Sequence, residues 1–224
     1  MTTARSNKDL RKHVLDELDW EPSIDSADIG VAVKDGVVTL TGHVPSYVQK
    51  RTAERAVLRL SGVKGVANEI DVRLPSEHTR SDSDLAQVAI GVLERNIQIP
   101  PDTVKVKVDD GWITLEGVVN WNYQRKRAER AVQYLMGVKG VTNHLQVKEQ
   151  ATSGDLRERI KRAFERRIAE KADRIHVSVD GNTVRLSGTV PSSTDRSDIE
   201  DAVWAAPGVT KVENRIKVSK AAYV

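Results

Sequence analysis

The side chains best suited to do chemistry gather in one stretch, Trp121-Asn-Tyr-Gln-Arg125-Lys-Arg-Ala-Glu-Arg130, with Trp112 a short way upstream. If Asn120 starts a helix here, Trp121 and Tyr123 fall in its first turn. Arg125, Lys126, Arg127 and Arg130 then cover the next turn and a half. Tryptophan and tyrosine favour the headgroup layer of a membrane, where the ring is sheltered and its polar tip stays wet. Each basic residue near an anionic surface adds about 1 kcal/mol of attraction. Trp112, Trp121, Tyr123, Arg125, Lys126, Arg127 and Arg130 are therefore the candidate contacts for an anionic phospholipid surface or another binding partner. That reading expects Trp121, Tyr123 and Arg125 together on an exposed face. The bland reading packs both aromatics against a neighbouring element and leaves the cations as a solvated face with Glu129. The same pattern would suit stacking on RNA bases, but the local charge is balanced.

The remaining chemistry is sparse. No two of the five histidines, His13, His43, His78, His144 and His176, are spaced to ligate one metal from a single helix. The absence of cysteine removes disulfides, thiolate zinc sites and thiol nucleophiles. Neither a nucleophile elbow nor a phosphate-binding glycine loop occurs. Asp109-Asp110 precedes a glycine and reads as a solvated turn. The sequence is read as non-enzymatic, with no cofactor and no metal. A second basic amphipathic stretch, Arg157 to Lys171, reads as a solvated helix supported by Glu158 and Arg162 four residues apart. Trp20 and Trp204 are expected to serve contacts between modules.

What must position these residues is a repeat. Gly62-Val-Lys-Gly-Val-Ala-Asn-Glu-Ile-Asp-Val72 recurs from Gly137 and again from Gly208, at offsets of 75 and 71 residues. Upstream of each copy lies Asp35-Gly36…Gly42, Asp110-Gly111…Gly117 or Asp180-Gly181…Gly188. Each copy opens on Asp-Leu, at Asp9, Asp84 and Asp155. The nine glycines Gly36, Gly42, Gly62, Gly111, Gly117, Gly137, Gly181, Gly188 and Gly208 form a structural signature of turns and caps. Apolar residues at helical spacing follow each Asp-Leu: Leu10, Val14, Leu15 and Leu18; Leu85, Val88, Ala89, Val92 and Leu93; Leu156, Ile160, Ala163, Phe164 and Ile168. Ser83, and Ser153 or Gly154, are the expected N-caps. Two alternating runs around Asp-Gly then predict a hairpin. Pro45, Asn120 and Pro191 mark a second helix. The Gly-Val-x-x-Val-x-Asn run closes the unit as a third strand, parallel to the second through a right-handed crossover.

The expected fold class is α+β: three tandem α-β-β-α-β modules, each with two helices on a small three-stranded mixed sheet. Polar linkers place them at residues 5–75, 82–149 and 153–220. Each module lies near the lower size limit for independent folding, so they are expected to pack on one another. A hydrophobic content of 39% with only 4% aromatic suits several small aliphatic cores. The net charge of +3 is dispersed: 11 basic against 11 acidic residues in 1–75, 10 against 10 in 76–150, and 14 against 11 in the remainder. A clustered basic footprint is absent, which argues against a nucleic-acid partner. There is no apolar run of transmembrane length and no apolar leader or lipid-anchoring cysteine. The sequence as written therefore reads as cytoplasmic, or as periplasmic if it is a mature form.

The hairpin ending in Gly-x-Val, followed by Gly-Val-x-x-Val-x-Asn, resembles the BON domain, three times over in nearly the whole chain. The likeness is to osmotically induced multi-BON proteins of bacteria. It implies the α-β-β-α-β fold read above. It also implies a non-enzymatic binding role, toward phospholipid or envelope components, in an osmotic or general stress response. A cytosolic protein-interaction or chaperone-like scaffold is the alternative, and a small-ligand or cation sensor the second alternative.

Overall fold

The computed structural model describes residues 7–148, 175–206 and 208–218. The first repeat comprises α1 (Asn7–Trp20), β1 (Ile29–Lys34), β2 (Val37–Val44), α2 (Tyr47–Arg59), β3 (Gly65–Asn68) and β4 (Asp71–Val72). The second comprises α3 (Asp82–Glu94), β5 (Val104–Asp109), β6 (Trp112–Val119), α4 (Asn122–Val132) and β7 (Gly140–Val147). The third comprises β8 (Ile175–Asp180), β9 (Thr183–Val190), α5 (Ser193–Trp204) and β10 (Lys211–Val218). The expected first helix of the third repeat, with its Leu156-to-Ile168 stripe, the basic stretch Arg157 to Lys171 and the expected caps at Ser153 or Gly154, lies outside the described residues.

Each repeat has the same sheet. In the second, β5 pairs antiparallel with β6, and β6 pairs parallel with β7 from Trp112 opposite Gly140 to Val119 opposite Val147. The third sheet repeats that order as β8, β9 and β10. In the first, the closing strand is interrupted: β3 pairs with β2 up to Asn68, and β4 resumes at Asp71 opposite His43. The α+β architecture with mixed sheets is the one expected from the repeats.

Alternation along β6 sets the layers. Ile113, Leu115 and Val119 are buried, while Trp112, Glu116 and Val118 face out. Against the inner residues pack Leu85, Ala89 and Leu93 of α3 and Ala128 and Val132 of α4. These apolar residues recur every four positions, so one helix stripe fills one sheet face. Burying each large aliphatic side chain contributes about 1.5–3 kcal/mol.

The signature asparagine locks this arrangement. Asn143 Nδ2 donates to the Arg125 carbonyl (2.9 Å) and to Glu129 Oε2 (3.2 Å), while its Oδ1 accepts from the Leu145 N–H (3.1 Å). Asn68 with Glu54 and Asn214 with Glu200 repeat the tie, always fourteen residues apart. One side chain thus staples the closing strand to the crossover helix in all three copies.

The strand glycines answer to close backbone approach. A Cβ on Gly42 or Gly117 would run into the carbonyl oxygen of Asp28 or Thr103, and both residues have positive φ. The hairpin turns carry a correction. In the first two repeats Asp35-Gly36 and Asp110-Gly111 are the two-residue loops, with positive φ throughout as a type I′ turn requires. In the third, Asp180 pairs with Thr183, so the loop is Gly181-Asn182. Gly181 therefore occupies the place of Asp35, not of Gly36, because the third copy holds one extra residue before Gly188.

Helix starts also differ from expectation. Ser81, rather than Ser83, caps α3, accepting from the Asp84 N–H at 3.1 Å. That frees the Asp82 carboxylate to accept from the N–H groups of Asp110 and Gly111, at 2.8 and 2.9 Å. The second helices begin two residues beyond Pro45, Asn120 and Pro191, at Tyr47, Asn122 and Ser193.

By compactness the described residues fall into two units. One gathers those within Met1–Gly42, Thr52–Ile70 and Gln150–Val224, and the other those within His43–Arg51 and Asp71–Glu149. Within the second unit Tyr47, at the start of α2, is buried in the core of the second repeat. Within the first, the buried Ser193 hydroxyl lies 3.5 Å from the Val63 carbonyl.

Candidate functional site

The face of α4 is set by its N-terminus. Ser46 and Ser192 cap α2 and α5, accepting from the N–H groups of Gln49 (3.3 Å) and Asp195 (3.0 Å). The second repeat has Trp121 in that position, and an indole cannot accept. Gln124 compensates by reaching back: its Oε1 accepts from the N–H groups of Asn120 and Trp121, at 2.9 and 3.0 Å. Gln124 is consequently buried, which turns Ala128 and Val132 inward and Tyr123, Arg127 and Arg130 outward.

The exposed side of α4 is thus a stripe. Tyr123 is 55% exposed, and Arg127 and Arg130 follow it four and seven residues on. Just past the helix end Tyr134 continues the same line at 61% exposed. At 100° per residue these positions share one face. Two aromatics bracket two guanidinium groups there.

A short turn lies against this stripe. Arg127 Nε donates to Gln98 Oε1 at 2.6 Å, joining α4 to the connection between α3 and β5. In that connection Asn96 Oδ1 accepts from the Gln98 N–H (3.1 Å), and the Ile99 N–H donates to the Asn96 carbonyl (2.9 Å). Ile99 is buried, whereas Ile97 is fully exposed.

The expected residues are therefore divided. Tyr123, Arg127 and Arg130 come together. Trp121 is half-buried at the cap, and Arg125 and Lys126 are half-buried on the helix flank, so Trp121, Tyr123 and Arg125 are not presented as one exposed group. Trp112 is elsewhere, on the outer face of the sheet away from the helices. Its indole Nε1 donates to Thr142 Oγ1 at 2.7 Å, and its ring covers Gly140, where a Cβ would run into it. Tyr134 and Ile97 were not among the expected contacts. The helical spacing from Tyr123 to Tyr134 carried the first; no periodicity in the sequence separates Ile97 from Ile99.

Trp20, at the end of α1, is 85% exposed. Trp204 packs against its own repeat's core, and its indole N–H lies 3.3 Å from Glu200 Oε1. His43, His144 and His176 lie in strands as expected. Among the described residues no group of three or more His, Asp or Glu side chains comes together to hold a metal. Asp110, at the hairpin, is paired with Lys139 Nζ at 2.6 Å. Among the described residues no helix is long and apolar enough to cross a membrane.

The outer face of the third sheet is ionic. Glu213 accepts from Lys211 (3.0 Å), Arg185 (3.2 Å) and Arg215 (3.3 Å), and Arg185 also bonds Asp180 (3.1 Å). The Lys211 ammonium, followed by Arg185, holds the Glu213 carboxyl below its usual range against the opposing effect of partial burial.

A small mixed sheet with a stapled crossover helix, present in three copies, defines a repeat protein of small α+β modules. The sequence matches the BON domain three times, over residues 6–73, 81–149 and 152–220, and the chain belongs to the BON-domain family. It is 32% identical over 131 residues to osmotically-inducible protein Y of Escherichia coli (strain K12). That match takes in 56% of this chain and 65% of the relative, just under two thirds of its length. Two solved structures of CdsD, a structural protein of the type III secretion system of Chlamydia trachomatis, align at 15% identity with TM-scores of 0.26. They cover 95% and 94% of this chain and 93% and 98% of their own, a likeness too slight to bear on fold or function.

Proposed function

We propose that this chain is a non-enzymatic binding protein whose second repeat engages anionic phospholipid surfaces through the exposed side of α4, in an osmotic or general stress response. The observation that carries the reading is the line Tyr123, Arg127, Arg130 and Tyr134. Cations there can meet phosphates while the flanking rings occupy the interfacial layer. The similarity to an osmotically-inducible protein supports the stress setting.

The test is co-sedimentation with phosphatidylglycerol-containing and with pure phosphatidylcholine vesicles, at low and near-physiological salt. Salt-sensitive binding to the anionic vesicles alone is expected. Removing two exposed cations by Arg127→Ala/Arg130→Ala should weaken it by about 2 kcal/mol, roughly thirtyfold. Equal binding of this variant and the native chain would remove α4 from the account.

A further inference from the structure

We propose that the turn between α3 and β5 belongs to the same lipid-binding face, with Ile97 as the side chain that enters the acyl boundary and Gln98 as the residue that orients Arg127. This deepens, and rests on, the lipid reading of α4.

The turn is built to expose one apolar residue. Asn96 fixes it from both sides, its Oδ1 accepting from the Gln98 N–H and its carbonyl from the Ile99 N–H, at 3.1 and 2.9 Å. The Thr103 hydroxyl donates to the Pro100 carbonyl at 2.7 Å and closes the following segment. Ile99 anchors the turn in the core at 6% exposed, while Ile97, two residues earlier, is 100% exposed. An isolated apolar side chain on a protein surface is ordinary. Its neighbours give this one a meaning. Arg95 precedes the turn and is exposed, and the 2.6 Å bond from Arg127 to Gln98 sets the turn beside the α4 stripe. An apolar tip two residues from Arg95 and adjoining Gln98, which holds Arg127, complements a surface that is anionic outside and apolar beneath.

Gln98 acts on Arg127 from the side. By accepting from Nε it leaves the two terminal nitrogens of the guanidinium for a phosphate, with Arg130 one turn further on. Arg is suited to this because its planar fork can bond one group along one edge and a phosphate along another. The ligand chemistry is a phosphate ester. Its source is a membrane, because a soluble ester would have no use for Ile97.

The experiment compares the full chain with Ile97→Asp, Ile97→Leu and Gln98→Glu variants on phosphatidylglycerol/phosphatidylcholine vesicles. Soluble glycerophosphate is added as competitor in a parallel arm. Ile97 is fully exposed, so its substitution leaves the core untouched, and circular dichroism checks this for each variant. Ile97→Asp should weaken vesicle binding about tenfold or more, since insertion of the isoleucine is lost, and Ile97→Leu should retain it. Gln98→Glu places a carboxylate on Arg127 and should cost about fivefold, the effect of one basic residue at the surface. Glycerophosphate at matching phosphate concentration should leave most protein on the vesicles.

If the native chain binds and Arg127→Ala/Arg130→Ala does not, yet Ile97→Asp and Gln98→Glu match the native chain, the turn is no part of the site and the α4 reading stands. If matching glycerophosphate releases the protein, the headgroup alone is the ligand and insertion is overturned. Failure of the native chain to bind anionic vesicles removes both readings.

Discussion

Asn143→Ala should unfold the second repeat far more readily than the loss of one surface amide would suggest. The substitution removes a bond to the Arg125 carbonyl at 2.9 Å, one to the Glu129 carboxylate at 3.2 Å, and the acceptor of the Leu145 N–H at 3.1 Å. A neutral hydrogen bond contributes about 0.5–1.5 kcal/mol net and one to a charged group about 1.5–3. Partial exposure of Glu129 places its share at the low end, for a total of about 2–4 kcal/mol. A domain of this size shifts by roughly 4–8 °C per kcal/mol, so the transition should fall by about 10–30 °C. Thermal and urea unfolding read by tryptophan emission would report it, since Trp112 and Trp121 both lie in this repeat. Asn143→Asp should be worse at neutral pH, because it sets a second carboxylate against Glu129. Asn143→Ala within about 0.5 kcal/mol of the native chain, the range of an ordinary surface change, would refute the staple.

Other outcomes follow from the same geometry. Gln124→Ala should cost about 1–2 kcal/mol, because its Oε1 accepts from the Asn120 and Trp121 N–H groups at the start of α4; Trp121→Ser should recover part of that loss in the double variant, because Ser46 and Ser192 cap the sister helices, and chemical denaturation of the single and double variants checks both. Gly140→Leu should lift the Trp112 ring from the sheet, increasing its quenching by acrylamide while leaving vesicle binding unchanged. The Glu213 carboxyl is held below its usual range, so it contributes stability above its unfolded value and loses it as pH falls through the lowered folded one. Glu213→Gln should flatten that acid-side loss in a series of melting curves against pH.

The three repeats, the hairpins and the mixed sheets were legible because they rest on spacing: alternation, helical stripes and glycines at fixed offsets. What the sequence obscured were shifts of one or two residues. The extra residue before Gly188 moved the third turn to Gly181-Asn182, and α3 is capped by Ser81, two residues before Ser83. For the site, taking Asn120 as the helix start grouped Trp121 with Tyr123 and Arg125. The buried Gln124, whose role depends on a cap that tryptophan cannot supply, fixes another phase and brings Arg127 and Arg130 to Tyr123 instead. Strand alternation could have shown that Trp112 points away from the helices, since its neighbour Ile113 must point toward them. The contrast between Ile97 and Ile99 depends on a turn held by Asn96 and Gln98, which periodicity does not encode.

The most direct measurement is backbone amide NMR of the isotope-labelled chain titrated with phosphatidylglycerol nanodiscs and, in parallel, with phosphatidylcholine nanodiscs. The account predicts changes confined to Ile97, Gln98 and the stretch from Tyr123 to Tyr134, on the anionic discs only and weakened by salt. Changes centred on Trp112 and the outer sheet face, or none on either disc, would contradict it.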